Sequence, residues 1–187
     1  MKKIFGILYN KFLLSIAILL MLQGIASAYE TIVVDFPPGW QRVFREVRQN
    51  EAIVQYLPNY QTRENYTETL VFHSYKWELN RRMTALTIIQ ALLEQVSKKY
   101  SDMAMTTMKN TPKDNIVIWC SKSASQCEII RVTQGYEGII SMHYINKNVE
   151  AFKGTYTFWL DFLVHAKVYY SYYRWNLMLQ KPSAVVL

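Results

Sequence analysis

Glycine is scarce, with six in 187 residues, and no glycine-rich loop precedes a helical stretch. A phosphate cradle of the nucleotide-binding kind is therefore not expected. No G-x-S-x-G occurs, so the usual mark of a serine nucleophile on a strand-to-helix turn is missing. No dense block of Lys or Arg appears: Arg42, Arg45 and Arg48 alternate with apolar residues, and Arg81-Arg82 stand alone. That pattern argues against nucleic acid as a partner. The three histidines, His73, His143 and His165, fall at no spacing that metal sites favour. They read as solvent-facing or hydrogen-bonded imidazoles, and no metal or cofactor is expected. There is no internal repeat, low-complexity tract or domain linker.

Cysteine is nearly absent too. Cys120 and Cys127 are the only two. C-x6-C fits no common zinc spacing, and no His lies nearby. In an exported chain an even pair this close reads first as a disulfide. The segment between them, SKSASQ, is polar and turn-like. If the flanking strands form a hairpin, the bridge staples its tip, contributing about 2.5 kcal/mol for so short a loop.

What is present starts with the first 28 residues. Lys2, Lys3 and Lys11 supply positive charge, Phe12 to Leu22 is an unbroken apolar run apart from Ser15, and Gly24 breaks the helix. Ala26-Ser27-Ala28 then offers small residues for cleavage, the order of a secretory signal peptide. A membrane anchor is the rival, but the run rises only about 16 Å as a helix against roughly 30 Å of hydrocarbon. No Cys lies near the cleavage point, which argues against a lipid anchor. Cleavage after Ala28 predicts a single domain, 29–187. The leader contains three Lys and no acid, so the mature chain keeps 18 basic and 14 acidic residues, a net charge of +4.

The mature chain reads as strands, a helix, three strands and a helix. Thr31 to Phe36 alternates apolar and polar residues. Pro37-Pro38-Gly39 turns the chain. The run around Val43, Phe44 and Val47 and the run Ala52 to Leu57 form a hairpin. Tyr66 to Trp77 is apolar on both faces and belongs near the sheet centre. Met83 to Tyr100 carries apolar residues at three- and four-residue steps, an amphipathic helix. Ser101 to Lys113 is polar, with four Met or Ala residues and Pro112, and reads as a loop with at most one turn of helix. Asn115 to Cys120, Cys127 to Thr133 and Ile139 to Ile145 are three more strands. Helical spacing from Thr155 predicts a second helix to about Leu179. KPSAVVL reads as a frayed tail whose apolar end can tuck against the sheet. The fold class is α+β: a largely antiparallel sheet of six or seven strands with two main helices. The sheet face left uncovered by helices is expected to be partly exposed.

Three short motifs, Phe36-Pro37-Pro38-Gly39-Trp40, Tyr56-Leu57-Pro58 and Asn65-Tyr66-Thr67-Glu68, together with this element order, resemble the α/β/α sandwich of PsbP- and Mog1-like proteins. Small exported proteins of Gram-negative bacteria share that shape. The resemblance implies the architecture and a bias toward binding or assisting other proteins. It implies no site residues.

Chemistry-bearing residues are few. Ser121, Ser123 and Ser125 lie in a turn, where Ser is common anyway. Glu64 and Glu68 are candidate paired carboxylates only by residue type. A Ser/His/acid triad assembled from distant positions stays open, since its members need no sequence spacing. Asn65-Tyr66-Thr67 is an N-x-T sequon, without meaning in most bacterial envelopes. The strongest surface candidate is Val168 to Trp175. On a helix Tyr169, Tyr170 and Tyr173 continue the buried stripe, leaving Tyr172, Arg174 and Trp175 for a partner; the rival is a wide helix packed on the sheet. The sequence therefore points to a non-enzymatic exported protein, periplasmic or secreted, that binds another protein. A hydrolase of an envelope polymer and a glycan or lipid-surface binder are the alternatives. A deep cleft holding an acid, His or Ser would favour the hydrolase.

Overall fold

The computed structural model describes residues 29–34, 36–48, 50–76, 83–136, 138–171 and 184–186. The expected signal peptide and the residues Tyr172, Arg174 and Trp175 lie outside them. Seven strands form one antiparallel sheet: β2 (Trp40–Val47), β3 (Glu51–Pro58), β4 (Glu68–Lys76), β5 (Ala104–Asn110), β6 (Asp114–Ser121), β7 (Gln126–Gln134) and β8 (Gly138–Asn146). Their order across the sheet is β2-β3-β4-β8-β7-β6-β5. A second sheet puts β1 (Tyr29–Val33) between β10 (Ala184–Val186) and β9 (Lys167–Ser171), both antiparallel to it. The helices are α1 (Ala85–Lys99) and α2 (Val149–His165).

One helix packs on each face of the large sheet. On the first face α2 buries Phe152, Trp159 and Leu163 against Phe72, Ile129, Met142 and Tyr144. The Trp159 ring stacks on Tyr144 at 4.3 Å and meets Trp40 edge-on at 5.0 Å. Phe36 packs against Tyr56 and Phe162. Between these two anchors the Pro-Pro-Gly turn needs Gly39, whose φ of +86° suits a residue without Cβ. On the second face α1 sets Ala85, Ile88 and Ile89 against Val117, Trp119, Ile130, Val132 and Ile139. Over β3, β4 and β8, further from α1, Ile53, Val71 and Ile145 stay half-buried. Gly138 is forced by close approach: a Cβ there would collide with the Tyr75 carbonyl oxygen of β4.

Cys120 and Cys127 face each other across the β6–β7 ladder and form a disulfide. The bridge staples the hairpin tip, as the spacing predicted. Asp102 secures the same tip. It accepts from the Ser121 hydroxyl (2.7 Å) and from the Ser123 amide and hydroxyl (both 2.8 Å). Those bonds to the charged form hold its carboxyl down at about 2. Ser121 and Ser123 are thus structural.

Two expectations need correction. The segment expected as a loop, 101–113, contains β5, which pairs with β6 from Ala104↔Cys120 to Asn110↔Asn115. All seven of its residues are exposed. It therefore shows no alternation, and a partner edge rather than a buried face makes it a strand. The second helix starts earlier and stops sooner than expected. Asn148 caps it by accepting from the Ala151 amide. It ends at His165, where Arg131 Nη1 donates to the carbonyls of Leu163, Val164 and Ala166 at 2.6–2.9 Å. These are the acceptors that a helix end leaves open. Tyr169 and Tyr170 then pair with Thr31 and Glu30 of β1. Aromatic and β-branched residues suit a strand, so the apparent helical stripe carries on into sheet. Ala184–Val186 does tuck in, as the third strand beside β1.

Candidate functional site

The only Ser/His/acid constellation among the described hydrogen bonds lies on the second face of the sheet, beside α1. Ser141 and His143 are two apart on β8 and share that face. Glu128 on β7 sits beside them: Ile130 pairs with His143, and Glu128 with Ile145. His143 Nδ1 lies 2.6 Å from Glu128 Oε1, and Nε2 lies 2.9 Å from the Ser141 hydroxyl. A carboxylate accepts, so Nδ1 carries the proton; in a neutral ring Nε2 then accepts from the Ser141 hydroxyl. This is the order of partners in a nucleophile–base–acid relay. On the next strand His73 is directly opposite Ser141, and its ring lies 4.0 Å from that of Tyr75.

Access and electrostatics decide what this row can do. Ser141 has no exposed surface, and the side chains of His143 and Glu128 are about nine-tenths buried. Ser141 sits in mid-sheet, paired with His73 on β4 and with Val132 on β7. The backbone N–H groups around it are engaged in two ladders, so none is aimed at a developing oxyanion. A nucleophile without approach or oxyanion donors is poorly placed for acyl transfer. The same bonds satisfy a histidine, a serine and a carboxylate inside a sheet, where an unpaired polar group is costly. His73 is less well served. Its Nε2 is buried without a hydrogen bond, 3.7 Å from Glu51 Oε2. Burial pushes its pKa down, partly offset by Glu51, so the ring is neutral at pH 7. It borders an open pocket of about 150 Å³ with Glu46, Arg48, Glu51 and Ile53. Among the described residues no three His, Cys, Asp or Glu side chains converge as a metal would need.

The other sequence candidates are dispersed. His165 is exposed at the end of α2, 3.0 Å from Asp161 Oδ1. Glu68 accepts from the buried Tyr144 hydroxyl (2.9 Å), while Glu64 lies in the exposed turn that holds Asn65. That turn is closed by Asn65 Oδ1, which accepts from the Thr62 amide and hydroxyl. The two glutamates therefore make no catalytic pair.

The sheet's two edges form the remaining candidate surface. The β2 edge carries Arg42, Arg45 and Glu46, with Arg48 bound to Glu46 at 2.7 Å and Arg63 over the Phe44 ring at 4.5 Å. The β5 edge reads AMTTMKN. Its one charge, Lys109, lies 2.7 Å from Asp114 Oδ2. Met105 and Met108 are each about half exposed. Among the described residues β5 pairs only with β6, so its outer row of backbone groups is unmet by any strand. Sequence reasoning missed this edge. Its signal was Met-Thr-Thr-Met, a strand-compatible run inside a segment read as polar.

The disulfide is compatible with an oxidising, exported location. Among the described residues no helix is long and apolar enough to cross a membrane. No family model matches the chain, and no curated protein matches it either.

Proposed function

We propose that this protein is exported through a cleaved signal peptide and acts by binding another protein, without catalysis, in the periplasm or outside the cell. The observation that carries this reading is the outer edge of β5, which no strand among the described residues covers. A strand edge presents alternating N–H and C=O groups, a ready template for an added strand. The partner that fits is a protein donating an extended segment of neutral or apolar residues, since β5 itself is nearly uncharged. The test compares the purified protein with Thr106→Lys as baits for envelope and culture-medium proteins. The same partner should be retained by the first and lost by the second; equal capture by both sinks the reading.

The hydrolase alternative draws on the 2.6 and 2.9 Å contacts of His143. Burial of Ser141 stands against it. Ser141→Ala is therefore expected to leave any hydrolysis of small activated esters unchanged, and a loss of such activity would favour the enzyme.

A further inference from the structure

We propose that β5 pairs antiparallel with β5 of a second copy of this chain, giving a two-fold dimer with one continuous sheet. The proposal rests on β5 accepting an added strand, and three observations select a second copy as the donor. The first is geometric. A row of edge N–H and C=O groups is matched by another extended backbone, and β5 is regular from Ala104 to Thr107, before its register shift at Thr107/Lys109. All seven β5 residues are exposed, so no helix among the described residues blocks the approach.

The second observation is charge. Lys109 is the only charged residue of β5, and Asp114 holds it at 2.7 Å. In a pair centred on Thr106, the two Lys109 lie at opposite ends. They are about 14–20 Å apart at roughly 3.4 Å per residue, the register shift at Thr107/Lys109 shortening the run, which is beyond a Debye length of about 8 Å at physiological salt. Thr106 then faces its own copy, a favourable cross-strand pair, and Met105 faces Thr107. The β2 edge is less suited, because its charged side chains Arg42, Arg45 and Glu46 discourage an added strand.

The third observation is closure. Joining β5 to β2 of the next copy is head-to-tail and continues without end. Joining β5 to β5 uses the same patch twice and stops at two. One strand pair buries less than the roughly 1,200 Å² of a standard interface, so the dimer is weak and depends on concentration.

Sedimentation velocity on the purified, disulfide-bonded protein, from micromolar to near-millimolar, tests this. The dimer fraction should rise with concentration. Thr106→Lys and Thr106→Glu should each weaken association several-fold, because like charges then oppose each other. Mixing the two variants should restore it. Circular dichroism checks that both fold. Arg45→Glu, on the other edge, should change nothing. The proposal is overturned by a monomer throughout, by dimerisation indifferent to Thr106→Lys, by a mixture that stays monomeric, or by a dimer lost with Arg45→Glu. Partner capture separates this from the reading beneath it. A monomer whose Thr106→Lys variant still loses the partner ends self-pairing and keeps strand addition. Capture that survives Thr106→Lys ends strand addition itself.

Discussion

At one end of the seven-stranded sheet, β2 carries Arg42, Arg45 and Glu46 and is anchored from behind by Trp40 on Trp159. At the other end, β5 carries one neutralised lysine and is tied to the molecule by its ladder with β6 and by Lys109–Asp114, while the disulfide beside Ala104 joins β6 to β7. Both strands have an irregular register, at Arg42/Phe44 and at Thr107/Lys109. Bulges alone therefore do not distinguish them. Charge and depth of anchoring do. Charges on an edge discourage another strand, and a helix behind an edge keeps it in place. β2 has both, while β5 lies beyond the cover of either helix.

The contrast can be broken most severely at Trp159. Trp159→Ala opens a cavity beneath Trp40 and Tyr144, with an expected loss of about 3–5 kcal/mol in urea unfolding. Amide exchange should accelerate in β2 before β5; the reverse order would show that α2 does not anchor that edge. Next comes the staple. Cys120→Ser with Cys127→Ser should cost about 2.5 kcal/mol, and here the β6–β7 tip, with β5 beyond it, should loosen first. A third change makes the edges alike. Arg42→Thr with Arg45→Thr should shift stability by no more than about 0.5 kcal/mol, as surface changes usually do. It should nevertheless create new association in sedimentation, through β2. If the variant stays as dispersed as the parent, charge is not what guards that edge.

The smallest expected effect lies next to β5, at Asp102. Its carboxyl is held at about 2, below an ordinary 3.8, by bonds from Ser121 and Ser123. A depressed carboxyl stabilises the fold above its unfolded pKa, and that contribution fades as pH falls through the folded value. Melting temperatures of the parent and Asp102→Asn should therefore differ at pH 5 and converge toward pH 2. A constant gap across that range would show that the charge is not responsible.

Elements with a strong period were legible in the sequence. The α1 helix announced itself by apolar spacing, and the β6–β7 hairpin by two strand runs flanking a polar turn between cysteines. The elements that misled depend on partners elsewhere in the chain. β5 hides because neither of its faces is buried, so only the neighbouring β6 reveals it. The end of α2 hides because Arg131, from β7, supplies the stop, and because Tyr169 and Tyr170 happen to continue the helical spacing. The candidate site divides in the same way. Ser141 and His143 stand two apart on one predicted strand, which a reader can see. Glu128 joins them through the β7–β8 register, which composition does not encode.

The pairing of β1 carries a consequence for the order of events in synthesis. Its two neighbours, β9 and β10, come more than a hundred residues later in the chain. As the ribosome works from one end to the other, Ile32 and Val33 are made early and must wait for Val168 and Ala184 before their ladder can close. Loop closure over such a distance is slow compared with local hairpins. The large sheet can assemble while the first strand is still searching, so the small sheet is the last clasp to fasten. A chain interrupted before residue 167 would leave that strand, with Ile32 and Val33, without a partner, a natural handle for chaperones and proteases that remove unfinished copies.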